Sequence, residues 1–342
     1  MRIGIVGLPN AGKSSLFNLL TSGSVPVETY PFTTIDANHG MAALPDPSLA
    51  SLGNLLSPEK LTPAMIEIID IAGLIKDAHK GEGLGNKFLG HIRDVDLIFH
   101  VIRGFENSDV AHVSIAIDPA KDREVVLAEL ALADLEIVER KLDYDRKRAD
   151  AKDELTLLER FRTFISQGSF SLNGSYSVEE RLRLKSLGLL IPRPRVDVLN
   201  LSDKKQEILL DKAYRLSVRL EEELADFPEQ EKEELRREAM LDPSGSRGLL
   251  ERGLEELGLI RFYTIKGSEV RSWILPDGLN ALNAAEKIHS DIADGFIKTE
   301  VLNVNELLEI GSWHEASAAG RLKVKGKDYI VQNGDVLLIK FR

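Results

Sequence analysis

The chain has 342 residues and a formal net charge of −11, with 43% hydrophobic and 29% charged residues. Such a length gives about two to three domains with ample core, and the acidic balance argues against a protein that binds nucleic acid over its whole surface. The absence of cysteine excludes disulfides and a cysteine nucleophile; no apolar run approaches the ~20 residues of a membrane span, and Met1 opens directly onto a strand, so the expected location is the cytoplasm.

Arg2–Val6 reads as a short buried strand and Ser15–Leu20 as the start of a helix. Between them, Gly7-Leu8-Pro9-Asn10-Ala11-Gly12-Lys13-Ser14 fits the P-loop pattern G-x-x-x-x-G-K-[ST]. By average residue usage that pattern arises by chance in roughly one chain in a hundred of this length. The strand, glycine loop and helix around it are what the chemistry requires. Glycines let successive backbone N–H groups turn inward around a phosphate at the positive end of a helix. Asn10, Ala11, Gly12, Lys13, Ser14 and Ser15 are therefore candidate nucleotide-binding residues. Lys13 is placed to reach the β- and γ-phosphates and Ser14 to hold Mg²⁺.

Tyr30–Ile35 follows, where a threonine could meet the metal only when a γ-phosphate is present. Met65–Asp70 is a second strand, and Asp70-Ile71-Ala72-Gly73 fits the D-x-x-G pattern. Asp70 would act on the Mg²⁺ and the Gly73 N–H on the γ-phosphate. In Ras-like GTPases a glutamine after that glycine orients the attacking water; here the position is Leu74, which cannot hydrogen-bond. His112, in the polar loop Phe105–His112 after the strand Val95–Ile102, is a candidate substitute; the alternative is an ordinary surface histidine. The near-continuous apolar strands separated by helical stretches predict a mostly parallel sheet covered on both faces.

From Pro119 to Leu142, Leu127, Leu130, Ala131, Leu135, Val138 and Leu142 recur at helical spacing. Leu155, Leu158, Phe161 and Ile165 repeat the pattern, which predicts two long helices packed in a coiled-coil-like pair. Gln167–Ser177 reads as a loop. Strand character returns at Arg195–Leu199, with Asp197 out of keeping for a buried strand. Asn200-Leu201-Ser202-Asp203 then occupies the place of the guanine-reading N-K-x-D signature, without its lysine but with its terminal carboxylate.

A helix is expected over Lys204–Glu238, with Glu221–Glu223 and Glu229–Glu238 as an exposed acidic surface. The runs Arg146–Arg148 and Arg193 with Arg195 are expected to be solvated faces. The last ~80 residues place strands such as Glu269–Ile274 and Val336–Phe341 around one helix at Ala281–Ser290, a small α+β module. Arg321, Lys323, Lys325 and Lys327 alternate, so a strand there would put four cations on one face, facing phosphate.

Together these residues resemble the YchF/Obg-like ATPase family over essentially the whole chain. The likeness rests on Gly7–Ser15, Pro31–Ile35, Pro45-Asp46-Pro47 and above all Asp70–Leu89 with Lys80-Gly81-Glu82-Gly83-Leu84-Gly85-Asn86-Lys87-Phe88-Leu89. It extends to Phe105-Glu106-Asn107, His112-Val113-Ser114, Ala284–His289, Gly295-Phe296-Ile297 and Tyr329–Asp335. The resemblance implies a P-loop core (1–118 and 193–260), a helical insertion (119–192) and a C-terminal TGS domain of ubiquitin-like β-grasp fold (261–342). It further implies Mg²⁺-dependent hydrolysis of ATP in preference to GTP, a monomer, and a regulatory role on the ribosome through its RNA or a ribosomal protein. On this likeness Thr34 is the metal-binding threonine, His112 the catalytic stand-in for glutamine, Asn200 and Leu201 adenine contacts, and Asn10 a potassium ligand. The chain departs from the family at Asp203, where glutamate is usual, and at Ala37, Asp77 and His79. Asp203 keeps open a guanine-specific GTPase, and Leu74 keeps open a nucleotide-gated binding module in which hydrolysis is incidental.

Overall fold

The computed structural model describes residues 1–22, 38–71, 92–106, 117–145, 152–172, 174–205, 207–208 and 210–342. They form two compact units, residues 1–42 with 67–249, and residues 43–66 with 250–342.

The first unit is built on a six-stranded sheet with strands β1 (Arg2–Val6), β2 (His39–Ala43), β4 (Met65–Asp70), β5 (Leu97–Arg103), β6 (Arg195–Asn200) and β7 (Tyr214–Leu216) in the order β2-β4-β1-β5-β6-β7. Strand β1 is parallel to β4 and β5, β5 to β6, and β6 to β7. All seven residues of β5 are buried, as the centre of a doubly covered sheet demands. The strands run so that Val6, Asp70, Arg103 and Asn200 arrive at one edge, where α1 (Lys13–Thr21) begins.

Helices α3 (Pro119–Asp145), α4 (Lys152–Ser166) and α5 (Val178–Ser186) follow. The expected stripe is real: Leu130, Ala131, Val138 and Leu142 of α3 share one core with Leu158, Phe161 and Ile165 of α4. That core continues into Val6, Ile69 and Ile98 of the sheet, so the helices and the sheet bury one common apolar surface. Asp134, inside α3 and fully buried, accepts the backbone N–H groups of Leu190 (2.7 Å) and Ile191 (2.9 Å). It pins α3 to the return of the chain. Burial pushes its carboxyl up to about 7, against those two bonds.

Several expectations are corrected. Residues 204–238 are not one helix: β7 is followed by α6 (Val218–Glu223) and α7 (Glu229–Glu238), with α8 (Gly245–Glu256) beyond them. Ser217 caps α6 through Leu220 N–H, and Pro228 stands at the start of α7. Nor is the acidic run wholly exposed. Glu221 is buried, in a two-bond pair with Arg236 (2.6 and 3.2 Å), and accepts Ser246 N–H at 3.0 Å. Asp197 finds its explanation: its carboxylate meets His100 Nδ1 (3.1 Å), Arg123 Nε (2.9 Å) and Arg195 Nε (3.3 Å). Arg193 likewise turns inward onto the carbonyls of Val95 and Arg93, so Arg193 and Arg195 are structural ties and not a solvated face.

The second unit holds β3 (Lys60–Thr62), β8 (Leu259–Lys266), β9 (Glu269–Pro276), β10 (Phe296–Asn303), β11 (Lys323–Lys325) and β12 (Asp335–Phe341), in the order β11-β10-β12-β8-β9-β3. The β8–β9 hairpin is antiparallel, β12 runs parallel to β8 and antiparallel to β10, and β3 lies parallel to β9. This is the mixed sheet of a β-grasp domain with an added edge strand. Helix α9 (Ala281–Ile288) covers Phe262, Val301 and Leu337. Not one helix but four lie between β9 and β11: α9, α10 (Ser290–Asp294), α11 (Val304–Ile310) and α12 (Trp313–Ala318).

Helix α2 (Pro47–Leu56) contributes Leu49 and Leu52 to a core with Tyr263, Val336 and Leu307. Asp46 secures it. Its carboxylate caps α2 through Leu49 N–H (2.9 Å) and also accepts Tyr263 Oη (3.0 Å) and Ser272 Oγ (2.8 Å). Arg261 donates to Pro45 O at 3.2 Å while pairing with Glu251. The domain boundaries expected from the sequence kept residues 43–66 with the P-loop core; the packing gives them to the C-terminal sheet.

The row of four cations does not form. Strand β11 spans only Lys323–Lys325. Arg321 is paired with Glu306 (2.6 Å), and Lys325 lies over the ring of Tyr329 at 5.4 Å. Lys327 lies beyond the strand, its carbonyl accepting Leu282 N–H. Alternation along a sequence becomes one face only where the strand is long enough.

Candidate nucleotide site

The phosphate end is made by backbone. Gly7 has φ 154°, and a Cβ there would stand 2.3 Å from the carbonyl oxygen of Val101, so only glycine lets the loop leave β1 against β5. Gly12, at φ 95°, precedes α1, and a Cβ would stand 2.3 Å from Asn200 Nδ2. Asn10 also takes a left-handed conformation, φ 62°. No side chain caps the start of α1, which leaves its first N–H groups for an anion. Lys13 is buried, with Nζ donating to Leu8 O at 2.9 Å across the loop. Burial lowers its pKa and the charge of Asp70 raises it, the burial being the larger effect.

Ser14 Oγ donates to Asp70 Oδ2 at 2.7 Å. The other oxygen, Asp70 Oδ1, is buried without a hydrogen-bond partner. A buried carboxylate oxygen left unsatisfied calls for an ion or water. A hydroxyl and a carboxylate side by side are the hard oxygen donors that Mg²⁺ takes when phosphates and water complete its shell. These residues fit that metal.

The base end is a cleft of about 720 Å³ lined by Gly12, Ser15, Phe105, Asn200, Asp203 and Arg219 among others. Asn200 spends its amide on the scaffold: Nδ2 donates to Ala11 O (3.0 Å) and Oδ1 accepts Val218 N–H (3.1 Å). It ties the P-loop to the end of β6 and the start of α6. Leu201 is 2% exposed and packs with Ile102, Leu199, Ala239 and Leu241, so it forms the floor of the cleft. Asp203 is half-buried on the wall, and its charge reaches Arg219, which is paired chiefly with Glu223. Phe105, which the sequence offers only as part of the loop Phe105–His112, is a cleft residue. It is held by Arg103, whose guanidinium lies 4.7 Å over the ring and whose Nε donates to Phe105 O at 3.1 Å. Its signal was an aromatic just beyond the buried strand β5.

Of the expected site residues, Asn10, Ala11, Gly12, Lys13, Ser14, Ser15, Asp70, Asn200, Leu201 and Asp203 gather around this one edge of the sheet. Thr34, Gly73, Leu74 and His112 lie outside the described residues.

Two family models match the chain. Residues 2–131 match one described as "50S ribosome-binding GTPase", and residues 259–342 match the YchF-GTPase C-terminal model, described as "Protein of unknown function (DUF933)". The protein named ribosome-binding ATPase YchF from Haemophilus ducreyi is 37% identical over 99% of both chains. Its namesake from Bacillus subtilis is 36% identical over 99% of this chain and 98% of its own. Among solved structures, the Schizosaccharomyces pombe YchF GTPase superposes with a TM-score of 0.84 at 31% identity, over 99% of this chain and 97% of its own. A GTP-binding protein from Pyrococcus horikoshii, 18% identical with a TM-score of 0.63 over the full length of both, shares the fold. With a P-loop at the sheet edge, a mixed β-grasp sheet behind it in sequence and full-length relatives at this identity, the chain belongs to the YchF family of P-loop nucleoside triphosphatases.

Proposed function

We propose that this chain is an Mg²⁺-dependent ATPase, preferring ATP to GTP, that works as a ribosome-associated regulatory switch in translation or stress response. The observation that carries the reading is the phosphate end: the uncapped helix start, Lys13 folded over its loop, and Ser14 bonded to an Asp70 that keeps one buried oxygen unpaired. In this reading the N–H groups from Asn10 to Ser15 and Lys13 hold the β- and γ-phosphates. Ser14, Thr34 and Asp70 hold the metal, which when bound neutralises charge on the transferred phosphoryl group. Gly73 N–H meets the γ-phosphate, and His112 supplies the water-orienting group that Leu74 cannot. Asn10, exposed at the rim, offers its amide oxygen to a potassium ion. The preference for ATP is supported by Leu201, buried where guanine readers carry a lysine, and by relatives named ribosome-binding ATPases. The same names support the ribosome as partner. We read the protein as a cytoplasmic monomer in three parts, 1–118 and 193–260, 119–192, and 261–342, with 43–66 packed into the last.

Asp203 on the cleft wall favours a second reading, a guanine-specific GTPase of ribosome assembly. Affinities for ATP and GTP, measured side by side by calorimetry with Mg²⁺ present, decide between them. ATP is expected to bind at least about tenfold tighter, roughly 1.4 kcal/mol. Tighter binding of GTP overturns the ATP reading in favour of the second.

A further inference from the structure

The first unit has a second cavity, of about 260 Å³, lined from α3, the start of β6 and the chain beyond α4. It shares no lining residue with the nucleotide cleft. Arg195, on its wall, opens β6 and Asn200 ends that strand, so the two sites lie about 17 Å apart at ~3.3 Å per residue. Arg123 and Leu127, one turn apart on α3, put a guanidinium and an apolar side chain on the wall, and Phe170 and Ser171 face them from the other element.

Two guanidinium groups converge on this cavity. Each meets the Asp197 carboxylate through Nε, Arg123 at 2.9 Å and Arg195 at 3.3 Å. Among the described residues neither has another acceptor, which leaves their terminal N–H groups for a ligand. Burial would raise the Asp197 pKa, but the His100 hydrogen bond and the charges of Arg195 and Arg123 outweigh it, so the carboxyl lies below its ordinary range and stays ionised. Burial lowers the pKa of His100, so its bond to Asp197 brings no charge. Two cations against one buried carboxylate leave a positive charge over. The one carboxylate among the described lining residues, Glu124, is exposed at the rim. A guanidinium fork takes a carboxylate or a phosphate by two parallel bonds. One fork fills both oxygens of a carboxylate; two forks and the Ser171 hydroxyl suit the three terminal oxygens of a phosphate. Phe170 and Leu127 offer the apolar contact that the body of such a molecule needs, and the volume sits at the small end of ligand cavities.

We infer that this cavity is a second ligand site, for a small phosphate monoester with a ring or similarly compact apolar body, the phosphate held by Arg123, Arg195 and Ser171 and the body lying against Phe170 and Leu127. The test titrates phenyl phosphate into the full-length protein by calorimetry, with ADP and Mg²⁺ in excess to fill the P-loop. Binding is expected with a Kd below about 1 mM. Arg123→Gln should weaken it at least about tenfold through the lost charge-assisted bonds. Glu124→Gln should tighten it roughly two- to fivefold by removing a like charge at the rim. Glu124 makes no hydrogen bond among the described residues, so this variant keeps the parent's melting temperature and carries the test even where Arg123→Gln unfolds. Benzoate, which offers two oxygens in place of three, should bind at least about tenfold more weakly than phenyl phosphate. Absence of binding in the ADP-saturated protein overturns the inference, and so does binding that ADP and Mg²⁺ displace, which places the phosphate in the P-loop. An affinity that neither substitution changes also overturns it. Benzoate binding as tightly as phenyl phosphate overturns the assignment to phosphate.

Discussion

The two ends of the candidate nucleotide cleft are built on opposite plans. At the end proposed for the phosphates the loop is shaped by glycines that have no room for a Cβ, the start of α1 carries no side-chain cap, and the few side chains have single tasks. At the base end the side chains nearest the site are largely committed to the scaffold: Asn200 staples the P-loop, Leu201 is core, and Asp203 and Phe105 form the walls. A triphosphate is the same whatever base it carries, so the end that meets it can be fixed by main-chain geometry. The end that discriminates must do so with a handful of side-chain atoms, and small changes there alter the choice.

The difference predicts where substitutions act on both nucleotides and where they act on one. Lys13→Ala should have the largest effect, a loss of about 3 kcal/mol, or ~100-fold, in affinity for ATP and GTP alike. Unchanged affinity and hydrolysis in a folded Lys13→Ala protein, judged by calorimetry and phosphate release, would break the phosphate half of the comparison. Asp70→Asn should cost about 2 kcal/mol in the Mg²⁺-dependent part of binding and raise the Mg²⁺ concentration needed for half-maximal hydrolysis more than tenfold. A metal titration that superposes on the parent's would remove Asp70 from the metal. Asn200→Ala leaves Ala11 O and Val218 N–H without their partner, so it should lower stability by about 1–2 kcal/mol and weaken ATP and GTP by the same factor. A shift in the ATP:GTP ratio would instead make Asn200 a base reader. The smallest effect is expected from Asp203→Asn, within about 0.5 kcal/mol for ATP. If Asp203 reads guanine, that substitution should selectively cost GTP about 1–3 kcal/mol through a lost charge-assisted bond.

The same contrast governs how far the site was legible in the sequence. Gly7, Gly12, Lys13, Ser14 and Asp70 stand out in the sequence because they fit patterns of residue types at fixed offsets, next to strands whose apolar runs are themselves readable, and the structure gathers them at one edge. The α3–α4 stripe is equally plain, since helical periodicity survives in any context. What escaped was long-range. Asp197 looked misplaced on β6 because its partners His100 and Arg123 come from β5 and α3. Glu221 read as surface until Arg236 reached it across a turn. The helix expected over 204–238 failed for local reasons, Pro228 and the Ser217 cap, which an apolar pattern alone outweighed on paper. Arg321–Lys327 failed because alternation does not say how long a strand is.

The segment 43–66 has a consequence for how the molecule is made. Synthesis delivers Leu49 and Leu52 early, but Tyr263, Leu307 and Val336, which cover them, come some two hundred or more residues later. At roughly 5–20 residues per second, α2 waits on the order of 10–60 seconds with its apolar side unmatched. The carboxylate of Asp46 waits with it, two of its hydroxyl partners, Tyr263 and Ser272, still unmade. The C-terminal sheet therefore cannot close around α2 until almost the whole polypeptide has left the synthetic machinery. A nascent chain halted before residue 259 exposes a sticky helix, a natural handle for a chaperone and a natural start for aggregation.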